Sequence, residues 1–263
     1  MIRFPDIKPY IIKLGPLQIR WYGLMYLVGF MSSYLLVRYQ IKEKGLKIDR
    51  KVVDDIYFYL VLGLILGARI GYVLFYNLKG YINNPLEIFA IWHGGMSFHG
   101  GLIGAIVAGV VVALRSGVDF WLFADMITIT APIGLGLGRI GNFINAELYG
   151  RVTNVPWAMV FPGSDGLPRH PSQLYEAFFE GVVLFLILWF LRNRIRLKGG
   201  LTALFLVLYG LIRFSLEFFR QPDQQLGFVV SFMTMGQVLS SLMVFAGVAL
   251  YAYLKKRESF HPC

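Results

Sequence analysis

The chain holds a single cysteine among its 263 residues, Cys263, so no intramolecular disulfide and no cysteine-built metal site can form. Four histidines are present, and none stands in a H-E-x-x-H or similar ligand spacing, so a catalytic metal is not expected. Charge is scarce too. Only 15% of residues are charged, against about 25% in an average soluble domain, and 57% are hydrophobic. So little polar surface cannot cover a water-soluble globule of this size, which excludes that class along with disordered chains, collagen and coiled coils. Acidic residues are the rarest charges, 15 against 25 Lys and Arg, for a formal net charge of +10. In so apolar a chain that excess points to anionic lipid or to an orientation signal before it points to nucleic acid.

What is abundant is long apolar sequence. About seven stretches reach the roughly 20 residues a spanning helix needs, near 21–37, 56–76, 97–114, 121–144, 174–191, 201–219 and 229–254. The expected fold is an all-α integral membrane protein of about seven transmembrane helices. With the N-terminus outside, the inside segments carry fourteen Lys and Arg and the outside segments eight, which favours an outer N-terminus and a cytoplasmic C-terminus. Residues 1–20 are mixed, punctuated by Pro5, Pro9 and Pro16, and lack a cleavage site, so no removable signal peptide is read. The Pro- and Gly-rich stretch 145–173 reads as an external arm or lid. No tandem repeat is visible, and residues 1–263 are expected to form one membrane-embedded domain.

Several polar groups sit where hydrocarbon should exclude them, at a cost of at least about 2.5 kcal/mol for each charge. They fall into stripes. Tyr209, Arg213, Glu217 and Arg220 share one helix face at spacings of four, four and three. Arg69, Tyr72 and Tyr76 share another, and Gln173, Glu176 and Glu180 a third. Gly63, Gly67 and Gly71 form a small-xxx-small line suited to close helix packing. Each charged stripe has a structural alternative, in which Arg and Glu of neighbouring helices only pair to hold the bundle. Depth argues further. At about 1.5 Å per residue, Arg69 falls in the outer half of its helix, Arg139 near the outer end of the fourth, Arg213 near mid-depth and Arg220 at the outer boundary. Arginines gathered on the side with fewer loop cations suggest a bound anion.

Two segments stand out. Gly134 to Arg151 contains Gly136, Gly138 and Gly141 as G-x-G-x-x-G, but no strand precedes it, so a dinucleotide site is rejected. Arg139, Asn142, Asn145 and Glu147 instead place donors and one carboxylate at the outer mouth. Before the third stretch, two His-Gly-Gly triplets surround His93 and His99; His99 begins the helix on the cationic side and can take a proton near neutrality.

The segment Gly138-Arg-Ile-Gly-Asn-Phe-Ile-Asn-Ala-Glu-Leu-Tyr-Gly-Arg151 resembles the signature of the bacterial prolipoprotein diacylglyceryl transferases. Trp21-Tyr-Gly-Leu-Met-Tyr26, Gly94-Gly-Met-Ser-Phe-His-Gly-Gly101, Arg169-His-Pro-Ser-Gln-Leu-Tyr-Glu176 and Glu217-Phe-Phe-Arg-Gln-Pro-Asp223 resemble further blocks of that family, in the same order. Ala146 departs from a glycine usual there, and His93 falls at a position taken to be variable, so it receives no role. The resemblance implies an inner-membrane enzyme that moves the diacylglyceryl group of phosphatidylglycerol to the thiol of a lipobox cysteine in a prolipoprotein. Glycerol phosphate is released, and no cofactor is implied. It also implies seven spans and a periplasmic N-terminus. Arg139 and Arg213 match arginines taken as essential; Tyr22, His99, Asn142, Glu147, Gly150 and Tyr209 match other important positions. On chemical grounds Arg139 and Arg213 are assigned to the phosphate, with Arg220 and Arg69 in support and Asn142, Asn145 and Glu217 beside the substrate; the resemblance adds Tyr22 and Gly150 to the substrate-binding positions. His99, ahead of Glu147, is assigned to thiol deprotonation, with Tyr209 in the catalytic group. An anionic-lipid transporter or flippase and a non-enzymatic lipid-binding scaffold are the competing classes.

Overall fold

A computed structural model describes residues 2–14, 17–90, 94–222, 228–230 and 233–260. His93, Asp223 and Cys263 lie outside the described residues. The apolar stretches of the sequence fall on helix, the last only from residue 235: α1 (Trp21–Glu43), α2 (Arg50–Phe75), followed by the short α3 (Leu78–Asn83), α4 (Phe98–Ser116), α5 (Phe120–Ile144), the α6–α7 rod (Ser172–Leu191), α8 (Gly200–Leu216) and α9 (Met235–Phe260). Among the described residues, α2, α4, α5, the α6–α7 rod and α9 are long and apolar enough to cross a membrane. α1 has the length, but its Trp, Tyr and Ser residues dilute its apolar character. α8 is apolar but only 17 residues long.

The helix ends follow local chemistry. Asp49 caps α2 by accepting from Lys51 N at 3.0 Å, and Ser97 caps α4 by accepting from Gly100 N at 3.3 Å. α4 stops at Gly117, whose φ of +68° only glycine adopts cheaply. The last apolar stretch begins later than the hydropathy suggests. Phe228–Val230 (β5) and Met233–Thr234 (β6) pair as an antiparallel ladder, and α9 starts at Met235. Near the N-terminus, Tyr10–Leu14 (β2) and Leu17–Arg20 (β3) form a second antiparallel pair.

The helices gather in two compact units, Met1–Val37 with Asp125–Cys263, and Arg38–Ala124. In the first, Ile129, Leu184, Leu188 and Leu201 make a buried core over which Trp189, Leu204, Phe205 and Tyr209 pack. Gly136 on α5 meets Gly181 so closely that a Cβ on either would stand under 3.0 Å from the other's Cα. In the second, Gly63, Gly67 and Gly71 of α2 abut Gly100 and Gly104 of α4, the close packing that their spacing predicts.

The stretch 145–171 is an ordered arm. Met159–Val160 (β4) pairs in parallel with Ile2–Arg3 (β1). Arg169 and Met159 exchange backbone hydrogen bonds at 2.8 and 2.9 Å, and Arg151 N donates to Phe219 O at 2.9 Å, tying the arm to the end of α8.

Candidate active site

The first unit builds its site from three helical pieces. α6 (Ser172–Glu176) passes through a π-helical turn (Ala177–Val183) into α7 (Leu184–Leu191), and Glu176 and Glu180 on this rod are fully buried. α5 brings Arg139 and α8 brings Arg213. Arg139 Nε lies 2.9 Å from Glu176 Oε2 and 3.4 Å from Glu180 Oε2. Arg213 Nη1 lies 3.1 Å from Glu176 Oε1, and its Nη2 lies 2.7 Å from Glu217 Oε2, one turn along α8. Arg220 Nη1 approaches Glu176 Oε1 at 3.5 Å. A single carboxylate, Glu176, therefore touches all three arginines.

This network ties down each guanidinium without exhausting it. Arg139 approaches both carboxylates most closely through Nε, and its terminal nitrogens make no hydrogen bond among the described residues, with 18% of its side chain exposed. Two parallel N–H donors on one planar group match two oxygens of a phosphate or carboxylate. Tyr209 stacks on Phe205 at 5.6 Å, within electrostatic range of Glu180, Arg139 and Arg213.

At the end of α5 the chain turns sharply. Asn142 and Asn145 donate from Nδ2 to Glu147 Oε1 at 2.8 and 3.3 Å, and Gln173 Nε2 donates to Glu147 O at 2.7 Å. Asn145 Oδ1 and Gln173 Oε1 are buried without a hydrogen-bond partner among the described residues. The turn passes through Ala146 at φ +55° and Leu148 at φ +58°. The first explains why a glycine is at home at that position, since a Cβ costs energy in the left-handed region. The Tyr22 ring covers Gly141, and its hydroxyl lies 3.2 Å from that of Tyr26. Gly150 is clamped: a Cβ there would stand 2.5 Å from Phe219 O and 2.8 Å from His170 O.

The arm that follows has its own polar frame. Arg169 grips Asp165 with Nε and Nη2 at 3.2 and 2.6 Å, and donates from Nη1 to Gly150 O and Gln221 Oε1. That pairing holds the Asp165 carboxyl below its ordinary range. His170 Nδ1 lies 3.1 Å from Tyr175 OH, and burial pushes the imidazole pKa down. Beside α8 lies an apolar hollow of about 380 Å³, bounded by Phe179, Leu211, Ile212 and Phe219.

Arg69 and His99 belong to the second unit. Arg69 is 4% exposed and donates to backbone carbonyls throughout: Nε to Ile88 at 2.9 Å, Nη1 to Gly94 and to Gly95, Nη2 to Glu87 and to Ala90. Its guanidinium also lies over the Tyr81 ring. His99 stands exposed in the first turn of α4, its ring edge-on to Phe98 at 5.7 Å.

The structure thus brings Arg139, Arg213, Arg220, Glu217 and Tyr209 into one cluster, and joins Asn142, Asn145 and Glu147 in a second. Glu176 and Glu180, central to the first, were not among the candidates drawn from the sequence. Their signal was present as a polar stripe on an apolar helix, but a stripe names a face and not its partners.

The chain matches the prolipoprotein diacylglyceryl transferase family over residues 9–253. It is 52% identical over 257 residues to the phosphatidylglycerol–prolipoprotein diacylglyceryl transferase of Geobacter sulfurreducens, covering 98% of this chain and 99% of the relative. The protein of the same name from Desulfotalea psychrophila is 54% identical over 264 residues, with 97% of each chain covered. That of Bordetella avium is 50% identical over 264 residues, the whole of both. The chain belongs to the prolipoprotein diacylglyceryl transferase family and is a transferase of lipoprotein biosynthesis. Transport and passive lipid binding, the competing classes, are set aside by that membership.

Proposed function

We propose that the chain transfers the diacylglyceryl group of phosphatidylglycerol to the lipobox cysteine of prolipoproteins, and that the terminal nitrogens of Arg139 receive the lipid phosphate. The observation that carries this is the placement of Arg139 beside buried Glu176 and Glu180, closest to both at its Nε, with part of its side chain exposed. Arg213, held between Glu176 and Glu217, adds charge beside it, with Arg220 at the rim. The cysteine thiolate attacks the glyceryl carbon bonded to the phosphate oxygen. A C–S bond forms, the C–O bond breaks, and its electron pair leaves with glycerol phosphate, where the guanidiniums stabilise the growing charge.

The thiol proton is assigned, on side-chain type alone, to His99 ahead of Glu147. A cysteine thiol ordinarily titrates near 8.5, an imidazole near 6.5 and a carboxylate near 4, so an imidazole is the better matched acceptor. Glu147, with Oε1 held by two amides, orients Asn142 and Asn145 against the substrate. Tyr209 steadies the arginine cluster, Tyr22 walls the mouth over Gly141, and Gly150 lets the arm close against α8. Arg69 acts at one remove, holding the segment before α4 that carries His99. The apolar hollow beside α8 offers an acyl chain a place.

The chain makes seven spans in the bacterial inner membrane and works as one transferase domain. The N-terminus and the arm of residues 145–173 lie on the periplasmic side, as the fourteen-to-eight Lys and Arg bias supports. The test is purified chain in detergent with phosphatidylglycerol and a lipobox peptide, followed by mass spectrometry. A diacylglyceryl-sized gain on the cysteine is expected. Its repeated absence with folded protein would return the site to lipid transport or binding. His99→Gln is expected to lower turnover by about a hundredfold; near-normal turnover would remove His99 as the base.

A further inference from the structure

The second unit carries a hollow that the transfer reaction does not use. Because α2 and α4 meet glycine to glycine, their larger side chains stand beside the contact line and wall a valley of about 430 Å³. Leu66 and Ile70 form one wall, Ile103 and Val107 the other, and the floor is glycine backbone. From Gly100 to Arg115 the valley runs about 22 Å at 1.5 Å per residue, more than the depth of one leaflet, about 15 Å. At its Arg115 end the lining changes character. A second hollow of about 260 Å³ continues it, sharing Tyr59 and Arg115 and adding Lys51 and Asp55.

The side chains of Lys51, Asp55 and Arg115 make no ion pair or hydrogen bond among the described residues, whereas Asp49 is already engaged in capping α2. Two open cations and one open carboxylate therefore border a polar hollow at the mouth of an apolar groove. The geometry points to a bound phospholipid whose headgroup carries both a phosphate and a primary amine, with one acyl chain in the groove. The phosphate lies between Lys51 and Arg115, the ammonium donates to Asp55, and the Tyr59 hydroxyl sits at the boundary between headgroup and chain. A headgroup with phosphate alone would leave Asp55 unpaired beside a second negative charge. A quaternary amine could not donate to it. The site takes a resident lipid of the leaflet that meets the N-terminal end of α2, separate from the lipid consumed at Arg139.

The experiment is native mass spectrometry of the full chain released from nanodiscs holding equal parts of phosphatidylethanolamine, phosphatidylglycerol and phosphatidylcholine. Beside any phosphatidylglycerol held at Arg139, a phosphatidylethanolamine adduct is expected. Asp55→Asn and Arg115→Gln should each reduce it about tenfold, the loss of one charge-assisted contact. Ile103→Trp, which fills the groove, should remove it, while Asp55→Glu should keep it. Gel-filtration profiles matching the parent chain confirm that each variant is folded. Equal retention of the three lipids, a phosphatidylglycerol adduct that is lost in both Arg115→Gln and Ile103→Trp, or a phosphatidylethanolamine adduct that survives both Asp55→Asn and Ile103→Trp would overturn the assignment.

Discussion

Arg139 and Arg69 are both arginines buried in apolar helices, and they do opposite things with their donors. Arg139 pairs with two carboxylates, closest at Nε, and its terminal nitrogens make no hydrogen bond among the described residues. Arg69 spreads its donors over the carbonyls of five residues and has turned a loop into a fixed support. The lesson concerns how intramembrane cations are read. Burial in hydrocarbon says that a charge is costly and must be compensated. It does not say whether the compensation leaves anything over for a ligand; the partner type and the count of spent donors decide that.

The sharpest way to break the comparison is a pair of identical substitutions. Arg139→Lys keeps the charge but loses the paired donors, and transfer should fall by at least about a hundredfold with the fold intact. Arg69→Lys should cost about tenfold, and it alone should speed hydrogen exchange in the segment before α4. Equal losses, or exchange changes shared by both variants, would erase the distinction. Next in size is Glu176→Gln. Removing the carboxylate common to three arginines leaves buried charge uncompensated, so stability should drop by about 3–5 kcal/mol and activity with it, read by thermal melting beside the transfer assay.

A milder contrast separates the arm from the helices. His170 is held neutral by burial and Asp165 is held ionised by Arg169, so at both sites the folded arm binds fewer protons than the unfolded one. The arm's stability should be full above about pH 6.5, decline as pH falls through the lowered His170 pKa, and decline again below the ordinary carboxylate range as Asp165 protonates. Protection factors of the Thr153, Met159 and Arg169 amides, each exchange rate taken relative to the intrinsic rate at that pH, check the sign at pH 5 and pH 7.5; greater protection at the lower pH would contradict it. The smallest effect is Ala146→Gly, which relieves a left-handed alanine and should raise stability by about 1 kcal/mol in a denaturation series.

Much of this arrangement was legible in the sequence because it is periodic. The apolar stretches, the glycine line from Gly63 to Gly71 and the polar stripes through Arg213 and Glu180 are all statements about one helix at a time. What periodicity does not carry is which stripe meets which. That Glu176 would reach Arg139 on α5 as well as Arg213 and Arg220 depends on helix pairing, and the donors of Arg69 are spent on backbone carbonyls of a short 3-10 turn, Pro85–Phe89, and the residues after it, which no side-chain pattern announces. The β5–β6 ladder was hidden because its residues are as apolar as the helix that follows, so hydropathy alone drew the last stretch too early. The π-helical turn between Glu176 and Glu180 likewise leaves no mark in composition.

Asp125 sits at the end of α5 remote from Arg139, where its carboxylate accepts from Gly199 N, Thr202 N and Thr202 Oγ1, each at 2.8 Å. It fastens the start of α8 to the early turns of α5. Counted from that fastening, Arg139 is 14 residues up one helix and Arg213 is 11 to 14 up the other, about 21 Å and about 17–21 Å at 1.5 Å per residue. Two rulers laid from a common zero read nearly the same height, which is how one carboxylate on a third helix can reach both arginines. The alignment of the reacting end is therefore set at the opposite end of the bundle, and a side chain that never meets the substrate keeps the site level.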